Sequence, residues 1–303
     1  KEEDLVLVSE KAWRKGGSKM FIEVGNQVKV IDLLRGIIIQ SGNDASIAMA
    51  EHIAGSEEAF ADLMNSHAAR LGMNSTHFEN STGWPAEGHL SSARDMAIMA
   101  KAIIRDDPEH YKIYKEKEFF WNGIRQPNRN LMLWRDSTVD GLKTGHTEEA
   151  GYCMVTSAER DGMRLIAVVM GTASEQARAA ETQKMLTWGF RFFETKSFYA
   201  PGQVLSTSRV WAGVSDQVQI GLADGLTLTL PKGQAEKLDA SITLEAPIKA
   251  PIAAGDVLGQ VEVRLGDEVV HTAPLVALAG VEEAGIFGRL WDSIRLFFYG
   301  LFN

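Results

Sequence analysis

Apolar residues recur at helical spacing in three early stretches, Ile31 to Ile39, Ala45 to Ala54 and Arg94 to Ile104, and each predicts an amphipathic helix. Ser91, Ser92 and Asp95 precede or open the third, where short polar side chains satisfy free backbone N–H groups. Between Gly151 and Gly171 the texture changes. Two β-rich runs, Tyr152 to Ser157 and Arg164 to Met170, flank the polar Glu159-Arg160-Asp161-Gly162, which predicts a hairpin. The pattern is helical again from Thr182 to Glu194, and Thr195 to Gly202, with Ser197, Pro201 and Gly202, reads as a domain boundary.

Beyond that boundary the apolar positions alternate. Val218, Ile220 and Leu222 precede a turn at Ala223-Asp224-Gly225; Leu226, Leu228 and Leu230 follow it, then Ile242 and Leu244. Val261, Val263 and Leu265 run into Gly266-Asp267, a hairpin turn before Val269 and Val270, so this region is all-β. The end of the chain is helical once more. Phe287, Leu290, Trp291, Ile294, Phe297, Phe298 and Leu301 share one face, and Arg289, Asp292 and Ser293 lie elsewhere. Such a face fits a helix packed on its own β domain or on a second copy. The density of Phe and Trp after Glu282-Glu283-Ala284-Gly285 favours a membrane interface, held by apolar insertion because only Arg289 and Arg295 are basic.

Composition narrows the function. Across 303 residues, 31 basic and 40 acidic side chains leave a net charge of −9, which argues against nucleic acid as a partner. With 45% hydrophobic and 23% charged residues the chain is globular, and its length favours two domains. Cys153 is the only cysteine, which excludes an internal disulfide and a Cys-x-x-Cys redox site; it is expected on a strand, facing the core. Seven scattered histidines without a His-Glu-x-x-His spacing predict no metal site, and no cofactor is expected. No apolar run reaches the ~18–20 residues that span a bilayer. Lys1-Glu2-Glu3-Asp4 is neither an initiator methionine nor a signal-peptide start, so Lys1 reads as an interior cut point.

Two tripeptides carry candidate chemistry. In Ser41-Gly42-Asn43, between two helices, the serine hydroxyl could relay a proton to a leaving amine while the Asn43 carboxamide orients a substrate amide. The plain alternative is a helix-connecting turn. In Lys143-Thr144-Gly145, at the start of the hairpin region, the ammonium could hold an anionic substrate, Thr144 adds a hydroxyl donor, and Gly145 lets another backbone lie along a strand edge. The plain alternative there is a solvated lysine at a strand start.

These two tripeptides correspond to two of the three motifs, Ser-x-x-Lys, Ser-Asp-Asn and Lys-Thr-Gly, of penicillin-binding proteins and class A β-lactamases. Leu34-Arg35-Gly36, Asp44-Ala45, Met64-Asn65-Ser66, Thr76-His77-Phe78, Ser91 to Ala97, Tyr114 to Phe119 and Asp140 to Thr147 extend the likeness along the chain. Together with the β region and the tail, the sequence resembles the low-molecular-weight D-alanyl-D-alanine carboxypeptidases, the type-5 and type-6 penicillin-binding proteins. That resemblance implies an α/β (α+β) penicillin-recognising domain over 1–194, a small all-β domain over 195–281 and an amphipathic anchoring helix over 282–303. It implies a serine enzyme of the periplasmic face of the bacterial inner membrane that removes the terminal D-alanine of peptidoglycan pentapeptides and is acylated by β-lactams. Ser41, Asn43 and Lys143 would serve catalysis. Thr144, Gly145, His146, as an oxyanion N–H, and Arg178, facing the substrate carboxylate, would bind substrate.

The sequence departs from the family pattern in two places. It contains no Ser-x-x-Lys, so the nucleophile segment is expected upstream of Lys1 and residues 1–303 by themselves are expected to be inactive by the family mechanism. Trp13 to Ser18 is also shorter than the loop relatives carry beside the site. The competing reading is a catalytically silent peptidoglycan-binding scaffold; a β-lactamase is disfavoured, because no deacylating glutamate motif is evident.

Overall fold

A computed structural model describes residues 1–302, with side chains through residue 296. The chain divides into two compact units, Lys1–Arg191 and Phe192–Asn303.

The first unit mixes helices with small antiparallel sheets. It runs β1 (Leu5–Leu7), α1 (Glu10–Arg14), β2 (Gln27–Lys29), α2 (Val30–Gln40), α3 (Asn43–Ala54), α4 (Glu57–Leu71), α5 (Ala93–Asp106) and α6 (Pro108–Tyr111). Then come β3 (Glu118–Trp121), β4 (Ile124–Pro127), α7 (Met132–Arg135), β5 (Val139–Thr147), β6 (Gly151–Arg160), β7 (Met163–Thr172) and α8 (Glu175–Phe192). The three early helices and the hairpin stand where periodicity puts them. Ser92 caps α5 by accepting from Asp95 N at 3.1 Å.

Helix α8 starts earlier than its apolar pattern does, because Glu175 to Glu181 has strong helix formers but few large apolar residues. Its inner side buries Arg178, Ala179 and Leu186, and Leu186 and Ala179 join Met154, Ala158 and Ala167 of the sheet β5–β6–β7 in one apolar cluster. From α5, Ala100, Ile103 and Ile104 pack with Val155 and Ile166. A second core joins Val6, Val8, Met20 and Ile22 to Leu33 and Ile39 of α2 and Ile47 of α3. Residues 18–22 approach α2 closely at Gly36, where an added Cβ would lie 2.3 Å from the Met20 sulfur.

The second unit is β-rich: β8 (Phe193–Tyr199), β9 (Val204–Arg209), β10 (Gln217–Gly221), β11 (Leu226–Pro231), β12 (Leu238–Leu244), β13 (Val257–Leu265) and β14 (Glu268–Ala277), followed by α9 (Ile286–Phe302). Five strands form a sheet in the order β12-β13-β14-β10-β9, and β11 pairs with β8. Residues expected to be a boundary segment therefore include a strand. Thr195 to Ser197 of β8 face Thr229 to Thr227 of β11. The expected hairpin at Gly266-Asp267 joins β13 to β14. Strands β10 and β11, on either side of the 223–225 turn, lie in different sheets.

Candidate functional site

Helix α2 ends on Ser41, whose φ of 62° and ψ of 39° are left-handed, a conformation glycine or asparagine adopts at helix ends more cheaply than serine. Ser41 N–H donates to Ile37 O at 3.1 Å and Gly42 N–H to Gly36 O at 3.0 Å, so the turn is closed by backbone bonds and the Ser41 hydroxyl is left for other partners. That hydroxyl meets the Lys143 ammonium, which also donates to its neighbouring Thr144 carbonyl at 3.0 Å. Lys143 comes from β5, the edge strand of its sheet. A separation of 102 residues is closed by this one contact.

Burial, then the positive charges of Arg129 and Arg178, push the Lys143 pKa down from 10.5 to about 7. The amine and the ammonium are thus both populated near neutral pH. Asn43 begins α3. Its Nδ2 donates to Gly16 O at 2.9 Å and its backbone N–H to Ser18 O at 2.8 Å, so the carboxamide is fixed rather than free to rotate.

A cleft of ≈ 960 Å³ is lined by Ser41, Asn43, Lys143, Thr144, Gly145, His146 and Arg178, which brings together every catalytic and substrate-binding residue named from the sequence. They differ in availability. Arg178 is 2% exposed, and its Nη1 donates to Gly145 O at 3.0 Å while Nη2 pairs with Glu175 at 3.6 Å, so its guanidinium also ties α8 to β5. His146 is exposed and its ring lies 3.9 Å from that of Tyr152.

Three cleft residues had no sequence signal. Arg129, exposed on the segment after β4, brings a second guanidinium to the wall. Trp84 and Tyr152 supply aromatic surface. Each is a lone residue outside any motif, and the chain's path alone collects them. Cys153 corrects an expectation: it pairs with Gly145 across β5–β6, is half-buried and lines the cleft instead of facing the core, which on β6 takes the neighbouring Met154.

In the second unit, the α9 residues Phe287, Leu290, Trp291 and Ile294 are exposed, Phe287 by 89%. Phe297 and Phe298, named with them, have side chains outside the described residues. No helix among the described residues is long and apolar enough to cross a membrane.

Comparison with known proteins matches residues 1–174 to the family described as D-alanyl-D-alanine carboxypeptidase, and residues 193–283 to that described as penicillin-binding protein 5, C-terminal domain. The D-alanyl-D-alanine carboxypeptidase DacC of Escherichia coli strain K12 is 46% identical over 308 residues, covering 99% of this chain and 77% of that protein. DacA of the same organism is 46% identical over 311 residues, covering 100% and 77%. Among solved structures, penicillin binding protein 5 from Haemophilus influenzae superposes with a TM-score of 0.84 at 42% identity, covering 93% of this chain and 84% of that one.

Proposed function

The chain belongs to the D-alanyl-D-alanine carboxypeptidase family, and from that membership we propose that the cleft around Ser41 and Lys143 is where it handles the peptide terminus. As a member it is a serine hydrolase of the bacterial cell wall, working through an acyl-enzyme that β-lactams also form. The observation that carries the site assignment is the contact of the Lys143 ammonium with the Ser41 hydroxyl in a cleft that also holds two arginines.

In this reading the substrate's terminal carboxylate lies against Arg129, Lys143 and Thr144, with Arg178 behind them holding β5 in place and adding positive potential. Asn43 orients the amide on the acyl side. The attacking serine and its partner lysine belong to a Ser-x-x-Lys segment, which residues 1–303 do not contain. The serine oxygen bonds to the penultimate carbonyl carbon while its proton passes to the partner lysine, giving a tetrahedral oxyanion whose collapse breaks the carbon–nitrogen bond. The departing D-alanine amine takes a proton from the Ser41 hydroxyl, and Lys143 returns one to Ser41. The oxyanion is met by the attacking serine's N–H and by that of His146. Water oxygen then bonds to the ester carbon, the carbon–serine oxygen bond breaks, and a proton from that water returns to the serine oxygen.

The test is direct. Protein carrying a Ser-x-x-Lys segment should form a covalent adduct with labelled penicillin and release D-alanine from a pentapeptide. A protein that binds peptidoglycan but forms neither the adduct nor free D-alanine is the silent scaffold.

The reading divides the chain into a catalytic part over 1–194, a β domain over 195–281 and an anchor over 282–303. It places the protein peripherally at the periplasmic face of the inner membrane. In support, one side of α9 exposes its apolar residues while Asp292 accepts from Ala212 N at 2.9 Å and Arg289 pairs with Glu283 at 2.8 Å, so the polar side is engaged by the protein. Deleting residues 286–303 should move the protein from the vesicle-bound to the free fraction in flotation and leave D-alanine release unchanged. A truncated form that still floats with vesicles defeats the anchor assignment.

A further inference from the structure

Trp84 is an indole built into the cleft wall and held there by more than its own packing. The Trp84 backbone N–H donates to Asn80 Oδ1 at 3.0 Å and to Thr82 Oγ1 at 3.1 Å, and Asn80 Nδ2 donates to Trp84 O at 2.8 Å. The next residue along from Asn80, Ser81, donates through Oγ to Glu57 at 2.9 Å, and Glu57 is itself buried and paired with Lys11 at 3.1 Å. The loop is therefore fixed to α4 and α1 before any ligand arrives.

The ring's place along the cleft is equally defined. Lys15 Nζ stands 4.5 Å from its centroid. Its edge runs along Gly16 and Gly17. At Gly17, φ is 81°, and an added Cβ would lie 2.7 Å from Asn43 Nδ2 and 3.0 Å from Trp84 Cζ3. Asn43, Gly17 and Trp84 are thus contiguous in the cleft. Yet Trp84 remains 44% exposed.

Given the proposed use of the cleft, on which this step rests, a peptide with its acyl-side amide at Asn43 and its carboxylate at Arg129 has its preceding residues next to Gly17 and Trp84, the neighbours of Asn43 in the cleft. We propose that Trp84 is a specificity-determining residue: its ring receives the aliphatic side chain of the residue immediately before the two terminal alanines. A fixed aromatic surface suits an unbranched aliphatic stem, whose methylenes it removes from water without ordering a loop. The missing Cβ at Gly17 is what lets Asn43 and the ring stand side by side against that backbone.

Kinetics on protein carrying a Ser-x-x-Lys segment test this with three ligands: a pentapeptide with a long aliphatic third residue, N-acetyl-D-alanyl-D-alanine, and 6-aminopenicillanic acid, a β-lactam without an acyl side chain. Trp84→Ala should raise KM for the pentapeptide about tenfold while kcat, the short peptide and the β-lactam change less than about twofold. Trp84→Phe should restore most of the pentapeptide affinity. Equal losses on all three ligands, or no change on the pentapeptide, overturn the assignment. Arg129→Ala separates this from failure of the cleft reading itself: it should weaken all three ligands alike, and if it leaves them unchanged the cleft is not the substrate site.

Discussion

Lys143→Met should lower β-lactam acylation and D-alanine release by about a hundredfold or more and at the same time make the protein harder to unfold. The activity loss follows from position. Lys143 is the side chain that meets the Ser41 hydroxyl, and without it the proposed relay has no source of protons and a substrate carboxylate placed as proposed loses a charge in the cleft wall. The stability gain follows from burial. A lysine whose pKa falls from 10.5 to about 7 on folding holds its proton more weakly in the folded chain than in the unfolded one, so the charged form costs folding free energy. Allowing for its partial exposure, the penalty is on the order of 3 kcal/mol. Its pH course is set by the two values. Below about 7 the lysine is charged in both states and the folded chain carries the full cost; as pH rises from about 7 toward 10.5 the folded chain holds it neutral and the cost disappears. Methionine fills similar volume with no charge. Thermal unfolding at pH 6 should therefore show Lys143→Met above the parent by roughly 5–10 °C, with the gap shrinking as the buffer is taken toward pH 10. A variant that is less stable than the parent at pH 6, or as active, would contradict the role assigned to Lys143.

How much of this could be read from the sequence depends on how local the determining physics is. Helices α2, α3 and α5 were legible because their apolar periodicity, and for α5 its Ser92 cap, lie within a dozen or so neighbouring residues. The pairing of Ser41 with Lys143 was legible only through resemblance, since nothing local brings a helix end to a strand edge 102 residues away. Strand β8 was hidden because Ser197, Pro201 and Gly202 have the composition of a linker, and what makes the segment a strand is β11, some thirty residues further on. Cys153 was misplaced for a related reason. Alternation along β6 assigns opposite faces to Cys153 and Met154 but does not say that one face of that edge pair borders a cleft. Arg129 and Trp84 carried no pattern at all, and a lone arginine or tryptophan in a loop reads as surface until the fold shows what it lines.

Asp44→Ala should destabilise the first unit by about 3 kcal/mol or more, although Asp44 lies behind the cleft wall and touches no part of the proposed relay. Its carboxylate is fully buried and collects backbone donors that nothing else serves. Oδ1 accepts from Met20 N at 2.8 Å and Ala45 N at 2.9 Å; Oδ2 accepts from Phe21 N at 2.8 Å and Ile22 N at 3.3 Å. Three successive N–H groups converging on one anion form a concave nest, and Phe21 reaches it with a φ of 70°, a left-handed conformation that a β-carbon makes costly. Alanine leaves those donors without acceptors beside the buried Met20 and Ile22, and each orphaned N–H costs about 1–3 kcal/mol, reduced where water can enter at the exposed Phe21. Asn cannot stand in, because one of its two ends is itself a donor; Asp44→Asn should recover only part of the loss. Glu10→Ala, which breaks an exposed ion pair with Arg14, is the control and should shift unfolding by less than about 0.5 kcal/mol. Beyond stability, Asp44 holds the segment that carries Gly17 against Asn43 and Trp84, so pentapeptide KM should rise in Asp44→Ala even at temperatures where the variant remains folded. Urea unfolding measures the first effect, and an Asp44→Ala midpoint indistinguishable from that of Glu10→Ala would show that the nest is not what fixes residues 20–22 to α3.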